Sequence, residues 1–246
     1  MPYDPASLDE SFKALAAFDW GADAAVLKPI DDAVIASHGV AAARTDVEKR
    51  LSAVLGTAAS RAAKEYACRK LSLIGSAASV PALAALLADK DNSHMARFAL
   101  ERMAAPEAAA ALRSALATVQ GDLKIGVVGS LAKRRDSSSV AAIAALLAAD
   151  PKTAAAAAEA LGTIASPEAL AALEKADPVA AGPLGVAVAD ARLACAEKLL
   201  AQSKRPEALA VYKGLAAAAA GKPAARALEL AATRGILACT DTSSPS

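Results

Sequence analysis

The 246-residue chain sets 27 lysines and arginines against 26 aspartates and glutamates, a formal net charge of +1, and it is 55% hydrophobic but only 3% aromatic. That length and apolar content allow a substantial core, while the charge balance lacks the basic excess that nucleic-acid binders carry. A charge, Pro or Gly breaks every apolar stretch before it reaches membrane-spanning length, and Met1-Pro2-Tyr3-Asp4-Pro5 has neither a basic n-region nor a hydrophobic h-region, so no membrane span and no signal peptide are expected.

Alanine fills 73 of the 246 positions. It is the best helix former, loses no side-chain entropy and lets helix backbones come close. It buries little surface, so Leu, Ile and Val must supply most of the hydrophobic stabilisation, at roughly 25 cal/mol per Å². No β-branched, alternating run is long enough for a strand. The expected class is all-α.

In chain order, residues 6–18 read as a helix with Phe12, Leu15, Ala16 and Phe18 on one face, broken by Trp20-Gly21. A second helix is predicted from about Asp23 to Ser37, interrupted or kinked at Pro29 because a mid-helix proline removes a hydrogen bond. A third is predicted from about Arg44 to Gly56, with Val47, Leu51, Val54 and Leu55 inward. These three form an irregular N-terminal cap over 1–58, as the ends of repeat stacks are atypical where one face meets water.

From Ser60 a register emerges. The octet Val80-Pro81-Ala82-Leu83-Ala84-Ala85-Leu86-Leu87 returns as Val140-Ala141-Ala142-Ile143-Ala144-Ala145-Leu146-Leu147, and Leu83, Leu112, Ile143 and Leu173 step along at about 30 residues, the period of stacked helical hairpins. First helices end at Leu71-Ser72-Leu73-Ile74-Gly75, Leu100-Glu101-Arg102-Met103-Ala104, Val128-Gly129-Ser130-Leu131-Ala132 and Leu161-Gly162-Thr163-Ile164-Ala165, each with two apolar residues three apart and then a small residue suited to a tight turn. Partner helices begin near Ser79, Pro106, Ser137 and Pro167, where Ser and Pro are helix-start signals. Val80, Leu83, Ala84 and Leu87, like Val140, Ile143, Ala144 and Leu147, occupy i, i+3, i+4 and i+7, one apolar stripe per helix. The turns around Asp89, Asp122 and Asp150 place acidic residues at the start of the next helix, where the macrodipole favours negative charge.

After Pro178 the pattern changes. Ala191 to Gln202 and a helix beginning at Arg205-Pro206-Glu207 set Leu199-Leu200 against Tyr212 and Leu215, a pairing similar to a tetratricopeptide hairpin. A final helix, about Pro223 to Leu237, is expected to cap the stack. The expected organisation is therefore a cap over 1–58, repeats over 59–177, a tetratricopeptide-like hairpin and cap over 178–239, and a disordered or weakly ordered tail over 240–246.

The repeats over Cys68 to Ala176 resemble the HEAT-like repeats of the phycobilisome-lyase type, Ala160-Leu161-Gly162-Thr163-Ile164-Ala165-Ser166-Pro167-Glu168-Ala169-Leu170 most closely. Cys68-Arg69-Lys70-Leu71, Ser93-His94-Met95-Ala96-Arg97-Phe98-Ala99-Leu100-Glu101, Lys124 to Leu131 and Arg134-Arg135-Asp136 are similar to a group of bacterial HEAT-repeat proteins often found in exported, multi-domain chains. The resemblance covers just under half of the chain. It implies a right-handed α-solenoid of six or seven stacked antiparallel hairpins whose chief work is binding. The pattern has an Arg early in each first helix; Arg97 fits it, and the next unit has Ile125 in that region.

Candidate sites are few. Gly121 to Ser130 is glycine-rich, but no Gly-Lys-Ser/Thr follows and no strand precedes it, so Gly126 and Gly129 read as close helix contacts rather than a phosphate loop. His38 is expected at a helix end and His94 in a turn; two separate histidines without convergent carboxylates or thiols do not make a metal site. Cys68, Cys195 and Cys239 lack CxxC spacing and read as buried small side chains, with a Cys195–Cys239 bridge left open. No nucleophile, base and orienting group converge, so no enzyme and no cofactor are expected. Lys133-Arg134-Arg135-Asp136 is the densest charge cluster; it reads either as local helix capping or, pooled with Arg69, Lys70, Arg97 and Arg102 at related places in successive repeats, as a basic ridge for an acidic peptide, a carboxylate or a phosphate. The expected function is a non-catalytic scaffold holding a protein or peptide partner along its inner, second-helix surface. The rival readings are a bilin lyase-like enzyme, a nucleic-acid-binding HEAT-like module and a spacer between catalytic domains.

Overall fold

A computed structural model describes residues 5–241. Among these the structure is all α, with fourteen α-helices, short 3-10 turns and no strand. It divides into two compact units, Met1–Ser130 and Leu131–Ser246.

The first unit contains α1 (Pro5–Ala16), α2 (Lys28–Ala36), α3 (Ala41–Leu55), α4 (Arg61–Ile74), α5 (Val80–Ala85), α6 (Ser93–Arg102) and α7 (Pro106–Thr118). The boundary between the units falls inside α8 (Gly121–Lys133). The second unit continues with α9 (Val140–Ala145), α10 (Pro151–Ile164), α11 (Pro167–Leu173), α12 (Pro183–Ala201), α13 (Arg205–Ala219) and α14 (Arg226–Thr240).

Within each unit most helices pack on the helix two places ahead. In the first unit these pairs are α2 on α4, α3 on α5, α4 on α6 and α5 on α7; in the second they are α9 on α11, α10 on α12 and α12 on α14. Hairpin pairs such as α6–α7, α10–α11 and α12–α13 supply the other contacts. The 30-residue apolar positions explain this arrangement. Leu83, Leu112, Ile143 and Leu173 are each wholly buried, and each contributes about 1.5–3 kcal/mol by leaving water. A single helical hairpin offers such a leucine no complete enclosure, so a neighbour must cover it.

Local signals set the helix bounds. Asp150 caps α10 by accepting from the Lys152 and Thr153 amides, and Pro151 begins that helix. Ser166 caps α11 by accepting from Ala169 N–H, and Ser60 caps α4 by accepting from Ala63 N–H. These side chains satisfy amides that have no partner within the helix. Helix ends are also fixed from neighbouring helices. On α3, Arg44 Nε donates to the carbonyl of Ile74 at 2.7 Å, and Glu48 accepts from the Ser76 amide at 2.6 Å. One side chain thus serves the C-terminal end of α4 and the other the turn into α5, each matched to the partial charge there. On α12, Lys198 Nζ donates to the carbonyls of Ile164 and Ala165, the C-terminal end of α10.

Alanine and glycine set the helix spacing. α10 buries Ala154, Ala157, Ala158 and Gly162, and α12, which packs on it, buries Ala187, Ala191 and Ala196. A Cβ on Gly162 would lie 2.7 Å from Ala191 Cα, so only glycine permits this approach.

Several expectations need correction. Pro29 does not interrupt a helix: a 3-10 turn over Ala24–Leu27 leads into α2, and Pro29 sits in its first turn, where the missing N–H costs nothing. His94 is not in a turn but in the first turn of α6, and exposed. α12 begins at Pro183, well before Ala191, because Gly182 takes φ +85° and lets the chain turn directly into the proline-started helix. α5 and α9 are only six residues long, so Leu87 and Leu147 complete their stripes from the turns that follow. α14 runs on to Thr240, while residues 242–246 of the expected tail lie outside the described residues. No helix among the described residues is long and apolar enough to cross a membrane.

Candidate functional site

The basic residues picked out in the sequence divide between the two units. Arg69, Lys70, Arg97 and Arg102 belong to the first, on the adjacent helices α4 and α6; Arg134 and Arg135 belong to the second.

Within the first unit two of the four turn away from solvent, in different directions. Lys70 reaches back to α2, where Nζ pairs with Asp31 at 2.6 Å, and it lies 4.9 Å from the Tyr66 ring centroid. Tyr66 donates its hydroxyl to the same carboxylate at 2.6 Å, and burial with that neighbour raises the phenol pKa far above its ordinary value. Arg97 reaches forward to α8, where Nη1 donates to the Gly126 carbonyl at 3.0 Å. Ser130 bridges this contact by donating to Glu101 at 2.8 Å. Burial lowers the Arg97 pKa, against the attraction of Glu101. Gly126 is the glycine this guanidinium requires, since a Cβ there would stand 2.6 Å from Arg97 Cζ. Gly129 differs: a Cβ there would meet nothing within 4 Å. The other two cations are exposed. Arg69 pairs with Glu65 one turn back, and Arg102 stacks 3.7 Å from the Phe98 ring centroid.

In the second unit Arg135 does its work through its backbone. It takes φ +52° just beyond α8, its amide donates to Ala132 O at 2.8 Å, and the Asp136 amide donates to Leu131 O at 3.1 Å. This is the Schellman pairing that closes a helix, with arginine at the position glycine usually fills.

The structure adds a residue that sequence reasoning missed. Arg192, on α12, is only 8% exposed. Among the described residues its Nε has no hydrogen-bond partner, and no carboxylate lies within ion-pair distance of its guanidinium. Burial lowers its pKa, with weaker opposing attraction from Glu174. The guanidinium lies against α13, where Nη2 would stand 3.3 Å from a Cβ on the exposed Gly214. One turn along α12, Cys195 lines a groove of about 270 Å³ between α11, α12 and the start of α13, together with Leu170, Glu174, Leu199, Lys204 and Glu207. The sequence signal was present: within Val188-Ala189-Asp190-Ala191-Arg192, the arginine falls in the buried helical phase of Val188, Ala191 and Cys195.

Cys68, Cys195 and Cys239 are free, buried thiols, so Cys195 and Cys239 are not bridged. Burial pushes the Cys68 pKa up to about 12 and that of Cys195 up to about 11, keeping both as thiols at neutral pH. Among the described residues no three His, Cys, Asp or Glu side chains converge as a metal cluster would.

No family model matches the chain, and no curated protein matches it. Among solved structures it is similar to an engineered protein seen by crystallography, at 17% identity and a TM-score of 0.45, over 94% of this chain and 67% of that one.

Proposed function

We propose that this chain is a non-catalytic right-handed α-solenoid of HEAT-like hairpins whose second-helix surface holds an acidic segment of a protein partner. The packing of most helices, within each unit, on the one two places ahead supports the architecture, because that translation is what a stack of hairpins requires. A surface built on packed helices is ordered before the partner arrives, which limits the entropy lost on binding.

The observation that carries the reading is Arg192. A guanidinium this buried, with Nε unpartnered and no ion pair, is costly for the folded chain. Its Nη2 lies beside the exposed Gly214 on the second helix of its hairpin, where a partner carboxylate would complete it.

The test is affinity capture from the source organism with the wild-type chain and Arg192→Met side by side. A synthetic peptide from the retained protein is then titrated calorimetrically against both. The expected result is an acidic peptide bound at least tenfold more weakly by Arg192→Met. Equal affinity for both chains, or no protein retained above a bead control, overturns the reading.

A further inference from the structure

The second helices of the second unit do not form an unbroken row. α9 packs on α11, but no such packing joins α11 to α13. The break is the groove of about 270 Å³ lined by Cys195 and Leu199 of α12, by Leu170 and Ala171 of α11, and by residues at the start of α13. Arg192 continues the same line of α12. It precedes Cys195 by three residues and Leu199 by seven, about 5 and 10 Å along the axis and on one side of the helix. Its guanidinium is tied to both edges of the break. Gly214 of α13 lies against Nη2, and Glu174, which follows α11 and lines the groove, is the carboxylate that attracts it.

Charge and size say what each part of this line accepts. Glu174 and Glu207 are exposed carboxylates on the groove lining, against one cation, Lys204. An acid entering the groove meets both carboxylates, whereas an acid at Arg192 has an unpartnered guanidinium to offset Glu174. The groove is therefore left to an uncharged side chain, and Leu170, Cys195 and Leu199 make it apolar. Its volume falls just below the range of small-molecule pockets, from about 300 Å³. A helix about 10–12 Å across cannot enter it. What fits is a side chain presented by an extended chain. In such a chain the residues facing one way are two apart, at about 7 Å, which is the distance from Arg192 to the stretch between Cys195 and Leu199.

We infer that this chain reads an extended peptide by two side chains two positions apart: a carboxylate at Arg192 and an apolar side chain in the groove over Cys195 and Leu199. The signature is acidic-x-apolar rather than a run of acids, which Glu174 and Glu207 disfavour. The inference rests on the binding role given to Arg192 above and adds the second contact and the spacing.

Panning a random heptapeptide display library against the immobilised 246-residue chain, Arg192→Met and Ala171→Trp tests it. Ala171 is exposed on α11, so tryptophan there fills the groove without entering the core. The wild type should enrich Asp or Glu two positions from Leu, Ile, Val or Met at least fivefold over the library. Arg192→Met should lose the acidic position, and Ala171→Trp should keep the acid and lose the apolar preference. Peptides that are acidic and need Arg192 but show no apolar position, or an apolar position indifferent to Ala171→Trp, overturn this inference and leave the role of Arg192 standing. The same enrichment on Arg192→Met, or none on the wild type above bare beads, overturns both.

Discussion

Arg192→Met is the sharpest perturbation. Arg192 is 8% exposed, its Nε lacks an acceptor, and the carboxylate that attracts it most, Glu174, is outside ion-pair distance. Methionine matches the reach of the arginine stem, fills the same space between α12 and α13, and brings no charge to desolvate. Replacing buried ionic groups by well-packed apolar side chains is often stabilising by about 1–4 kcal/mol. Because the residue keeps 8% of its exposure, the expected gain falls towards the lower end, about 1–2 kcal/mol. With a urea dependence of about 2 kcal/mol per molar, the midpoint should rise by about 0.5–1 M. Gly214→Asp approaches the same defect from the other side. Its Cβ would start 3.3 Å from Nη2, so the new carboxylate can pair with the guanidinium and should also stabilise. Because both changes relieve one defect, the double variant should gain less than the sum. Urea denaturation followed by circular dichroism reads all four proteins. If Arg192→Met lost 1 kcal/mol or more, the guanidinium would have to be satisfied in the folded chain, and the physical basis of the proposed function would fail.

Three further outcomes follow from the packing. Gly129→Ala should raise stability by about 1 kcal/mol, the helix-propensity difference, since nothing obstructs a Cβ there; Gly162→Ala should lower it by about 1–2 kcal/mol, because a methyl group 2.7 Å from Ala191 Cα must force α10 and α12 apart. Urea denaturation of the two variants decides this, and an equal response from both would refute the spacing argument. Cys68, with its pKa pushed up to about 12 by burial, should resist a thiol-specific disulfide reagent at pH 8 until the chain unfolds, so its modification should rise with urea in step with the loss of helix. Hydrogen bonds from Thr153 and the Lys152 amide hold the Asp150 carboxylate below its ordinary value. Its contribution is therefore complete above the unfolded-state pKa near 4 and is lost as the pH falls through the lower folded-state value. The difference in melting temperature between wild type and Asp150→Ala should be constant from pH 5 to 8 and close progressively below pH 4. A difference that persisted at pH 2 would show that the carboxylate charge is irrelevant to the cap.

The sequence by itself determined the helices and their order, because the signals involved are local. Alanine content fixed the all-α class, Asp150-Pro151 and Ser166-Pro167 fixed helix starts, and the 30-residue recurrence of Leu83, Leu112, Ile143 and Leu173 fixed which side of α5, α7, α9 and α11 is buried. Propensity, capping and periodicity each act within a few residues, so they can be read without knowing the neighbours. The tertiary structure alone decided what the polar and small residues do. Gly126 and Gly129 are three positions apart on α8, yet one receives the Arg97 guanidinium and the other meets nothing. Lys70 and Arg97 occupy related places in successive repeats, yet one turns back to Asp31 and the other forward to Gly126. Arg192 stands in a buried phase, but only the gap to Glu174 and the bare backbone of Gly214 make it an unsatisfied cation. A guanidinium can be exposed, paired or stranded depending on a few ångströms between helices far apart in sequence, and no local pattern encodes that distance.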